Sequence, residues 1–295
     1  MIKKIRILFI IASVIPFLNG CGGGPWGGIQ EERGYGGLTW SPDGKYIAVE
    51  MATRLLRYGS TMGGFYSSYK DEDVKTARSY LIKVNAVTKD IDIITQEAMP
   101  DYYGSAIASP LWRGDRLFYL DSGRLKVVAG NDKNNIRTIL DNIYLIRDYK
   151  VSRSGKYIVY WSSTYSSDTI WNIIDLDGTG NRQLTTERGI TSEGSVALLG
   201  WSKTEDFLYF EASSQYYKVD IDGNIVNVSG NYPDYDGNYD DDRISPDSTK
   251  IAYGKWVSSL NSAQLFLTAY VSGEDPVGGE NISEKISDKL LGLVE

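Results

Sequence analysis

The chain has 295 residues, one cysteine, no histidine, and 31 Lys+Arg against 38 Asp+Glu, a formal net charge of -7. The lack of imidazole excludes Ser-His-Asp and Cys-His catalysis and His-ligated metal sites, and a lone cysteine excludes an intramolecular disulfide. The acidic balance argues against a nucleic-acid partner, and 42% apolar with 23% charged residues is typical of a globular protein.

Residues 1–20 are predicted to be a secretory signal peptide. Lys3, Lys4 and Arg6 precede an uncharged apolar run from Ile7 to Leu18. This run is too short to span a bilayer as a helix, which takes about 20 residues, but it fits the hydrophobic region of a secretory signal.

The signal ends in Leu18-Asn19-Gly20-Cys21, which resembles the Leu-x-small-Cys box of bacterial lipoproteins. The resemblance implies cleavage before Cys21 and lipidation of that cysteine, so that the membrane holds the chain through its N-terminal lipid. The alternative is a plain signal peptide followed by a free thiol. Because Gly22 is not the Asp that retains such proteins at the inner membrane, the resemblance favours the outer membrane of a Gram-negative cell, facing the periplasm.

Residues 21–35 follow as a lipidated cysteine and a glycine-rich tether, with Gly22-Gly23-Gly24 and Gly27-Gly28 as its flexible part. Removal of the signal leaves 28 basic against 38 acidic side chains, a balance of -10. We therefore expect anionic membrane surfaces to repel the folded body.

From residue 36 onward, one short phrase recurs. Trp40-Ser41-Pro42-Asp43-Gly44-Lys45-Tyr46-Ile47-Ala48-Val49 predicts a strand end, a tight turn and a second strand, and four decayed copies follow it. The five anchor residues are spaced by 72, 39, 50 and 43 residues, and three of these spacings are near that of a four-stranded propeller blade. The anchors are Trp40, Trp112, Val151, Trp201 and Ile244.

Each copy is followed by the remaining strands of a blade. A β-rich segment comes next in all five copies (80–84, 125–128, 170–175, 216–220 and 265–268), and a final strand in the first four (91–95, 136–140, 182–185 and 225–229). Asp177-Gly178 and Asp222-Gly223 supply turns that need positive φ. No helical pattern of eleven or more residues appears outside the signal, although the chain end has room for a short helix.

The sequence therefore predicts an all-β protein, a β-propeller of four-stranded blades with five repeats recognised. It leaves open five or six blades, one of them incomplete. The propeller is assigned to residues 36–282. The C-terminal segment 283–295 either contributes to a further blade, and so to closing the ring, or pairs with the segment after the tether.

The phrase Trp-Ser-Pro-Asp-Gly-Lys-x-Ile-Ala and the blade ending from Ile174 to Thr185 resemble TolB-like, WD-like β-propellers over about residues 36–280. The resemblance implies a rigid scaffold that binds proteins or small ligands on one face or in its central channel. Related propellers gate serine peptidases, but this chain has no Gly-x-Ser-x-Gly elbow and no histidine. We assign the tryptophans to packing between blades, and Asp43 and Asp247 to turns.

Candidate binding residues lie in tyrosine-rich stretches between strands. The long first spacing contains an insert from Arg54 to Arg78, which we expect to project from one face as an adaptable loop. Two shorter aromatic stretches occur elsewhere, and the alternative for any single aromatic residue is a place in the core. The candidates are Tyr58, Phe65, Tyr66, Tyr69, Tyr102, Tyr103, Trp161 and Tyr165.

The densest acidic run is Asp234 to Asp242. Oxygen-bearing side chains at Asp234, Asp236, Asn238 and Asp240 form a weak calcium candidate, and the alternative is a solvated loop. The expected function is a lipid-anchored, non-enzymatic envelope scaffold for a protein or glycan partner, without a cofactor. The alternatives are a hydrolase with paired carboxylates and a calcium-dependent binding module.

Overall fold

The computed structural model describes residues 28–61, 64–68, 77–98, 107–129, 132–141, 146–162, 169–191, 196–229, 234–236, 243–257 and 262–291. They form five antiparallel sheets and two short helices. The fold class is therefore all-β, as the sequence predicted.

Sheets 1 to 3 follow one another along the chain, and each begins with an anchor strand of the repeat. Sheet 1 contains β1 (Gly28–Trp40), β2 (Tyr46–Thr61), β3 (Gly64–Ser68), β4 (Arg78–Asn85) and β5 (Ile91–Ala98). Sheet 2 contains β6 (Ile107–Arg113), β7 (Arg116–Asp121), β8 (Arg124–Ala129) and β9 (Ile136–Leu140). Sheet 3 contains β10 (Ile146–Val151), β11 (Tyr157–Ser162), β12 (Ile170–Asp175) and β13 (Arg182–Thr186).

Helix α1 (Glu187–Ile190) leads into sheets 4 and 5, and helix α2 (Ser283–Leu291) follows them. Sheet 4 contains β14 (Val196–Ser202), β15 (Phe207–Ala212), β16 (Gln215–Asp220), β17 (Ile225–Asn227) and β18 (Tyr235–Asp236). Sheet 5 contains β19 (Lys250–Val257), β20 (Ser262–Ala269) and β21 (Glu280–Asn281), and only the bridge between Ile244 and Ile251 marks its first strand.

Within each sheet the strands pair in chain order, with two additions. β3 pairs with β2, and β18 pairs with the edge of β14 opposite to β15. The five β-rich segments that we predicted after the copies of the phrase fall within β4, β8, β12, β16 and β20. Local turn residues determine where these strands lie, so the sequence was enough to predict them.

Four apolar clusters join the sheets, and each contains buried side chains from two of them. Ile94 and Trp112 join sheets 1 and 2, Phe118 and Val151 join sheets 2 and 3, and Trp171 and Phe210 join sheets 3 and 4. The fourth cluster joins the last sheet to the first, with Trp40, Ile47 and Met51 packed against Ala252, Leu265 and Leu267. Among the described residues, sheets 4 and 5 share no such cluster, but they are consecutive in the chain.

The tryptophans of the repeat pack between sheets, as predicted. Trp40, Trp112 and Trp201 are at most 5% exposed. The indole Nε1 of Trp201 donates to the carbonyl of Lys150 in sheet 3 at 3.0 Å, and that of Trp40 donates to the carbonyl of Arg243 at 2.8 Å. Trp40 therefore connects the first sheet to the start of the last repeat.

The C-terminal segment packs across the junction of sheets 5 and 1. Ile282 and Ile286 are fully buried in the cluster that joins these sheets. The Tyr35 hydroxyl donates to Ser283 Oγ at 3.1 Å, and the Arg33 guanidinium donates to Ser287. Because sheet 5 packs on sheet 1 and α2 covers their junction, the ring closes with five sheets.

One boundary differs from the sequence expectations. Strand β1 begins at Gly28, inside the segment 21–35 that we expected to be a tether. Residues 28–35 pair in register with residues 51–58 of the insert, and this pairing satisfies their backbone hydrogen bonds.

Candidate functional site

The antiparallel strand order gives the ring two distinct faces. We call the face formed by the first hairpin turn of each repeat, residues 41–45, 114–115, 152–156, 203–206 and 245–249, the turn face. The second strand of each sheet starts at this face and ends at the opposite one. We call the opposite face the ribbon face, after the feature described below.

The Ser-Pro-Asp-Gly turns are structural, as predicted. Ser41 Oγ donates to Asp43 Oδ1 at 2.7 Å and accepts from the Tyr46 amide at 2.9 Å, while Gly44 takes the left-handed conformation with φ of 68°. The hydrogen bond from Ser41 lowers the pKa of the Asp43 carboxyl. Ser245 and Asp247 repeat this arrangement, with Ser245 Oγ 2.6 Å from Asp247 Oδ1.

A three-stranded ribbon extends sheet 1 beyond the ribbon face. β2 pairs with β4 only from Tyr46 to Thr53. Its continuation pairs with β1 as far as Tyr58 and with β3 from Arg57 to Thr61. We call residues 28–32, 54–61 and 64–68 the ribbon. The eight residues beyond Thr53 extend about 26 Å at the usual rise of a strand.

The ribbon corrects the expectation of an adaptable loop from Arg54 to Arg78, because its described residues pair continuously. Thr61 pairs with Gly64, and Arg57 pairs with both Ile29 and Ser68. A two-residue connection with glycine beside it is a hairpin signal, and the sequence carries this signal in Met62-Gly63-Gly64.

Three of the predicted binding residues lie in the ribbon. Tyr58 is on β2, where it pairs with Gly28 and Ser67, and Phe65 and Tyr66 are on β3. Of the other candidates, Trp161 lies on β11, and four lie outside the described residues. These four are Tyr69, Tyr102, Tyr103 and Tyr165.

The strand ends that flank these candidates all lie at the ribbon face. β5 ends at Ala98 and β6 begins at Ile107 there, on either side of Tyr102 and Tyr103. β11 ends at Ser162 and β12 begins at Ile170 there, on either side of Tyr165. Trp161 is described: it pairs with Trp171 and packs, half-buried, against the cluster between sheets 3 and 4.

The acidic segment is described only at residues 234–236. Tyr235 and Asp236 pair with Ser202 and Trp201, and Asp234 Oδ1 lies 3.0 Å from Lys203 Nζ. Asn238 and Asp240 lie outside the described residues. In the ranges that the structure describes, no group of three or more acidic or cysteine side chains could hold a metal ion, and the calcium site stays a prediction.

The first strands of sheets 1 to 4 carry a register irregularity before the anchor residue of the repeat. In β1 it contains Gly36 and Gly37, and the Gly37 amide donates to Glu50 Oε2 at 3.2 Å. A Cβ on Gly36 would lie 2.6 Å from that carboxylate, so the contact needs glycine there. The Tyr149 hydroxyl donates to the Ser109 carbonyl at 2.6 Å and links β10 to β6.

Asp148 lies at the irregularity of β10, and sequence reasoning missed it. Burial raises the pKa of its carboxyl, although the Lys150 ammonium and the Tyr149 amide act in the opposite direction. A carboxyl with a raised pKa can hold a proton at higher pH than an exposed one. The signal in the sequence is an aspartate inside a strand, in Ile146-Arg147-Asp148-Tyr149.

Five antiparallel sheets that follow one another around a closed ring define a β-propeller, here with a β-ribbon on one face. In the described part of the chain, no helix is long and apolar enough to cross a membrane. No protein-family model and no curated protein matches the sequence.

The solved structures that resemble this chain include the following three. Oligogalacturonate lyase in complex with manganese is 15% identical, with a TM-score of 0.45, over 81% of this chain and 66% of the lyase. TolB from Acinetobacter baumannii is 12% identical, with a TM-score of 0.39, over 81% of this chain and 67% of that one. A putative TolB from Agrobacterium tumefaciens is 14% identical, with a TM-score of 0.41, over 88% of this chain and 89% of that one.

The chain therefore spans about two thirds of the length of the lyase. The assignment as a propeller rests on the sheet order and on the contacts between sheets.

Proposed function

We propose that this protein is a lipid-anchored propeller of the bacterial cell envelope that binds a protein or glycan partner on its ribbon face, without catalysis. In a Gram-negative cell its place is the outer membrane, facing the periplasm. Cys21 carries the lipid, and the ring carries the binding face.

The observation that supports this proposal most is the position of the ribbon and of the strand ends beside the other candidates. Tyr58, Phe65 and Tyr66 lie in the ribbon, and the strands on either side of the candidates outside the described residues end and begin at the same face. A rigid ring that presents aromatic residues from several connections binds with a small loss of conformational entropy. Tyr and Trp suit this role because they give a large contact area with few rotatable bonds.

The experiment is a pulldown from crosslinked cell envelopes with the full-length protein and a variant without the ribbon. Thr53 and Arg78 pair in register, so residues 54–77 can be replaced by an Asn-Gly turn. Sheet 2 already connects its second and third strands in this way, through Ser122-Gly123. We expect the variant to lose the partner that the wild type retains.

A matched control replaces Ser213-Ser214, the short connection of sheet 4 at the same face, by Asn-Gly. This control should retain the partner. If the ribbon-less variant is folded, as judged by circular dichroism, and still retrieves the partner in full amount, the ribbon is not the binding element.

The hydrolase alternative is favoured by one observation, the raised pKa of Asp148, since a general acid must hold its proton near the working pH. Among the described residues, Lys150 is the charged group that affects the pKa of the Asp148 carboxyl, and no second carboxylate affects it. Purified protein should therefore leave peptidoglycan and envelope polysaccharides intact. Turnover that disappears in Asp148→Asn would overturn the non-enzymatic proposal.

A further inference from the structure

We infer that the ribbon lies against the phospholipid surface of the membrane in which the Cys21 lipid is inserted, so that the ribbon face is membrane-proximal. The turn face then points into the aqueous compartment. This inference rests on the proposed lipid anchor and adds to it an orientation and a contact surface, so that a partner bound through the ribbon must itself lie at the membrane surface.

The length of the tether limits the orientation. Six residues separate Cys21 from Gly28, the first residue of β1. Seven residue steps extend at most about 25 Å. Gly28 is therefore held within about 25 Å of the lipid attachment point.

The position of Gly28 in the ribbon decides which face lies closer to the membrane. Gly28 pairs with Tyr58, beyond the last pair between β2 and β4, and β1 then runs to Trp40 at the turn face. The thirteen residues of β1 extend about 40 Å. Contact of the turn face with the bilayer would hold Gly28 about 40 Å away from it, which exceeds the reach of the tether.

The composition of the ribbon also suits a bilayer surface. Tyrosine is enriched at the level of the lipid headgroups, where its apolar ring and its hydroxyl both find partners, and the ribbon contains Tyr58, Phe65 and Tyr66. Arg54 and Arg57 balance Glu31 and Glu32, so the ribbon has no net charge, whereas the mature chain has a balance of -10. The ribbon thus avoids the repulsion that we expect for the rest of the surface.

The single cysteine makes a direct test possible, because in the lipidated protein it bears no free thiol. A cysteine introduced at another position is then the only site for a thiol-reactive fluorophore. Three variants place the label in different parts of the molecule. They are Ser60→Cys in the ribbon, Ser214→Cys at the ribbon face outside the ribbon, and Asp115→Cys at the turn face.

Each labelled full-length protein is purified from membranes and reconstituted into phosphatidylethanolamine–phosphatidylglycerol vesicles that contain a headgroup quencher. We expect at least a two-fold loss of fluorescence at position 60, a smaller loss at position 214 and no loss at position 115. Equal quenching at positions 60 and 115 would overturn the inference.

A second variant tests the ribbon composition with the anchor intact. Tyr58→Ser, Phe65→Ser and Tyr66→Ser are combined in the Ser60→Cys protein, and the melting temperature and circular dichroism spectrum check its fold. We expect the quenching at position 60 to fall to less than half of its former value. Unchanged quenching in the folded variant would show that the tether alone positions the ribbon and would contradict the proposed contact.

Failure of the anchor and failure of the contact give different results. A mass spectrum of the N-terminal peptide with an unmodified Cys21 rejects the lipid anchor before any label is measured. A lipidated Cys21 with an unquenched label at position 60 rejects only the contact with lipid. Crosslinking of position 60 to a membrane protein in native envelopes, with no quenching in vesicles, would assign the ribbon to that protein instead.

Discussion

Two aspartates with opposite pKa shifts illustrate what single residues contribute. Asp148 is half-buried in β10, and burial raises the pKa of its carboxyl. Asp247 lies in an exposed turn, where hydrogen bonds from Ser245 and then Thr249 lower the pKa of its carboxyl. Their contributions to stability therefore depend on pH with opposite signs.

We predict that Asp148→Asn raises the melting temperature at pH 7. The folded pKa lies above the unfolded one, so the contribution of Asp148 to stability is lost as the pH rises from the unfolded to the folded pKa. Asparagine carries no charge to bury, and the difference from wild type should shrink as the pH falls toward 3. A lower melting temperature at pH 7 would contradict the assigned burial.

For Asp247→Asn we predict a change in melting temperature of the opposite sign at pH 7. Its folded pKa lies below the unfolded one, so the stabilisation is present above the unfolded pKa and is lost as the pH falls through the folded pKa. The variant should melt below wild type at pH 7 and approach it in acid. Thermal scans between pH 3 and pH 7 measure both variants. An Asp247→Asn protein as stable as wild type at pH 7 would contradict the turn role.

The indole nitrogens of the repeat give a matched pair. Trp201 Nε1 donates to the Lys150 carbonyl, whereas the buried Trp112 Nε1 has no hydrogen-bond partner among the described residues. Both Trp201→Phe and Trp112→Phe lose ring volume, but only the first breaks a bond between sheets. We expect Trp201→Phe to cost about 1–3 kcal/mol more in urea unfolding. Equal costs would mean that this hydrogen bond does not stabilise the ring.

At the scale of single elements, the hairpin between β15 and β16 departs from the usual turn residues. Ser213 and Ser214 have φ of 51° and 60°, a conformation that favours Asn-Gly. Replacing both by Asn-Gly should raise the unfolding free energy by about 1 kcal/mol. Ser214→Ala keeps the strained Cβ and should bring no gain, and an Asn-Gly variant no more stable than wild type would argue against this turn.

The elements that the sequence predicted are those determined by local chemistry. The turn Ser41 to Lys45 is closed by the side chains of Ser41 and Asp43, so the repeated phrase was enough to predict the strands on both sides of it. The ribbon depends instead on non-local pairing, because the partner of Gly28 is Tyr58. A glycine-rich segment read alone predicts a tether, and only the pairing with β2 makes it a strand.

The features of the candidate site also divide into those that the sequence could predict and those that depend on non-local structure. Aromatic residues such as Tyr58 and Tyr66 were recognisable from composition, since an insert rich in Tyr, Ser and Gly is typical of binding segments. The burial of Asp148 could not be recognised from composition, because neighbouring strands determine it. The placement of the strand ends beside the candidates at one face follows from strand direction around the whole ring.

At the scale of the whole molecule, the contact between the first and last sheets determines whether the ring is closed. Trp40 donates to the Arg243 carbonyl, Tyr35 donates to Ser283, and Ile286 is buried in the shared cluster. These contacts join residues more than 200 positions apart in the chain. They hold β1 against sheet 5.

The closed ring predicts a specific disulfide. A Cβ built on Gly254 of β19 lies 3.6 Å from the Cβ of Tyr35 in β1, a separation that suits a disulfide. Tyr35→Cys with Gly254→Cys, in a Cys21→Ser background, should crosslink on mild oxidation, whereas Asp115→Cys with Gly254→Cys should not. The crosslinked chain should migrate faster in a non-reducing gel and unfold at a higher temperature than its reduced form. Two free thiols at positions 35 and 254 in the folded, oxidised protein would contradict the closed five-sheet ring.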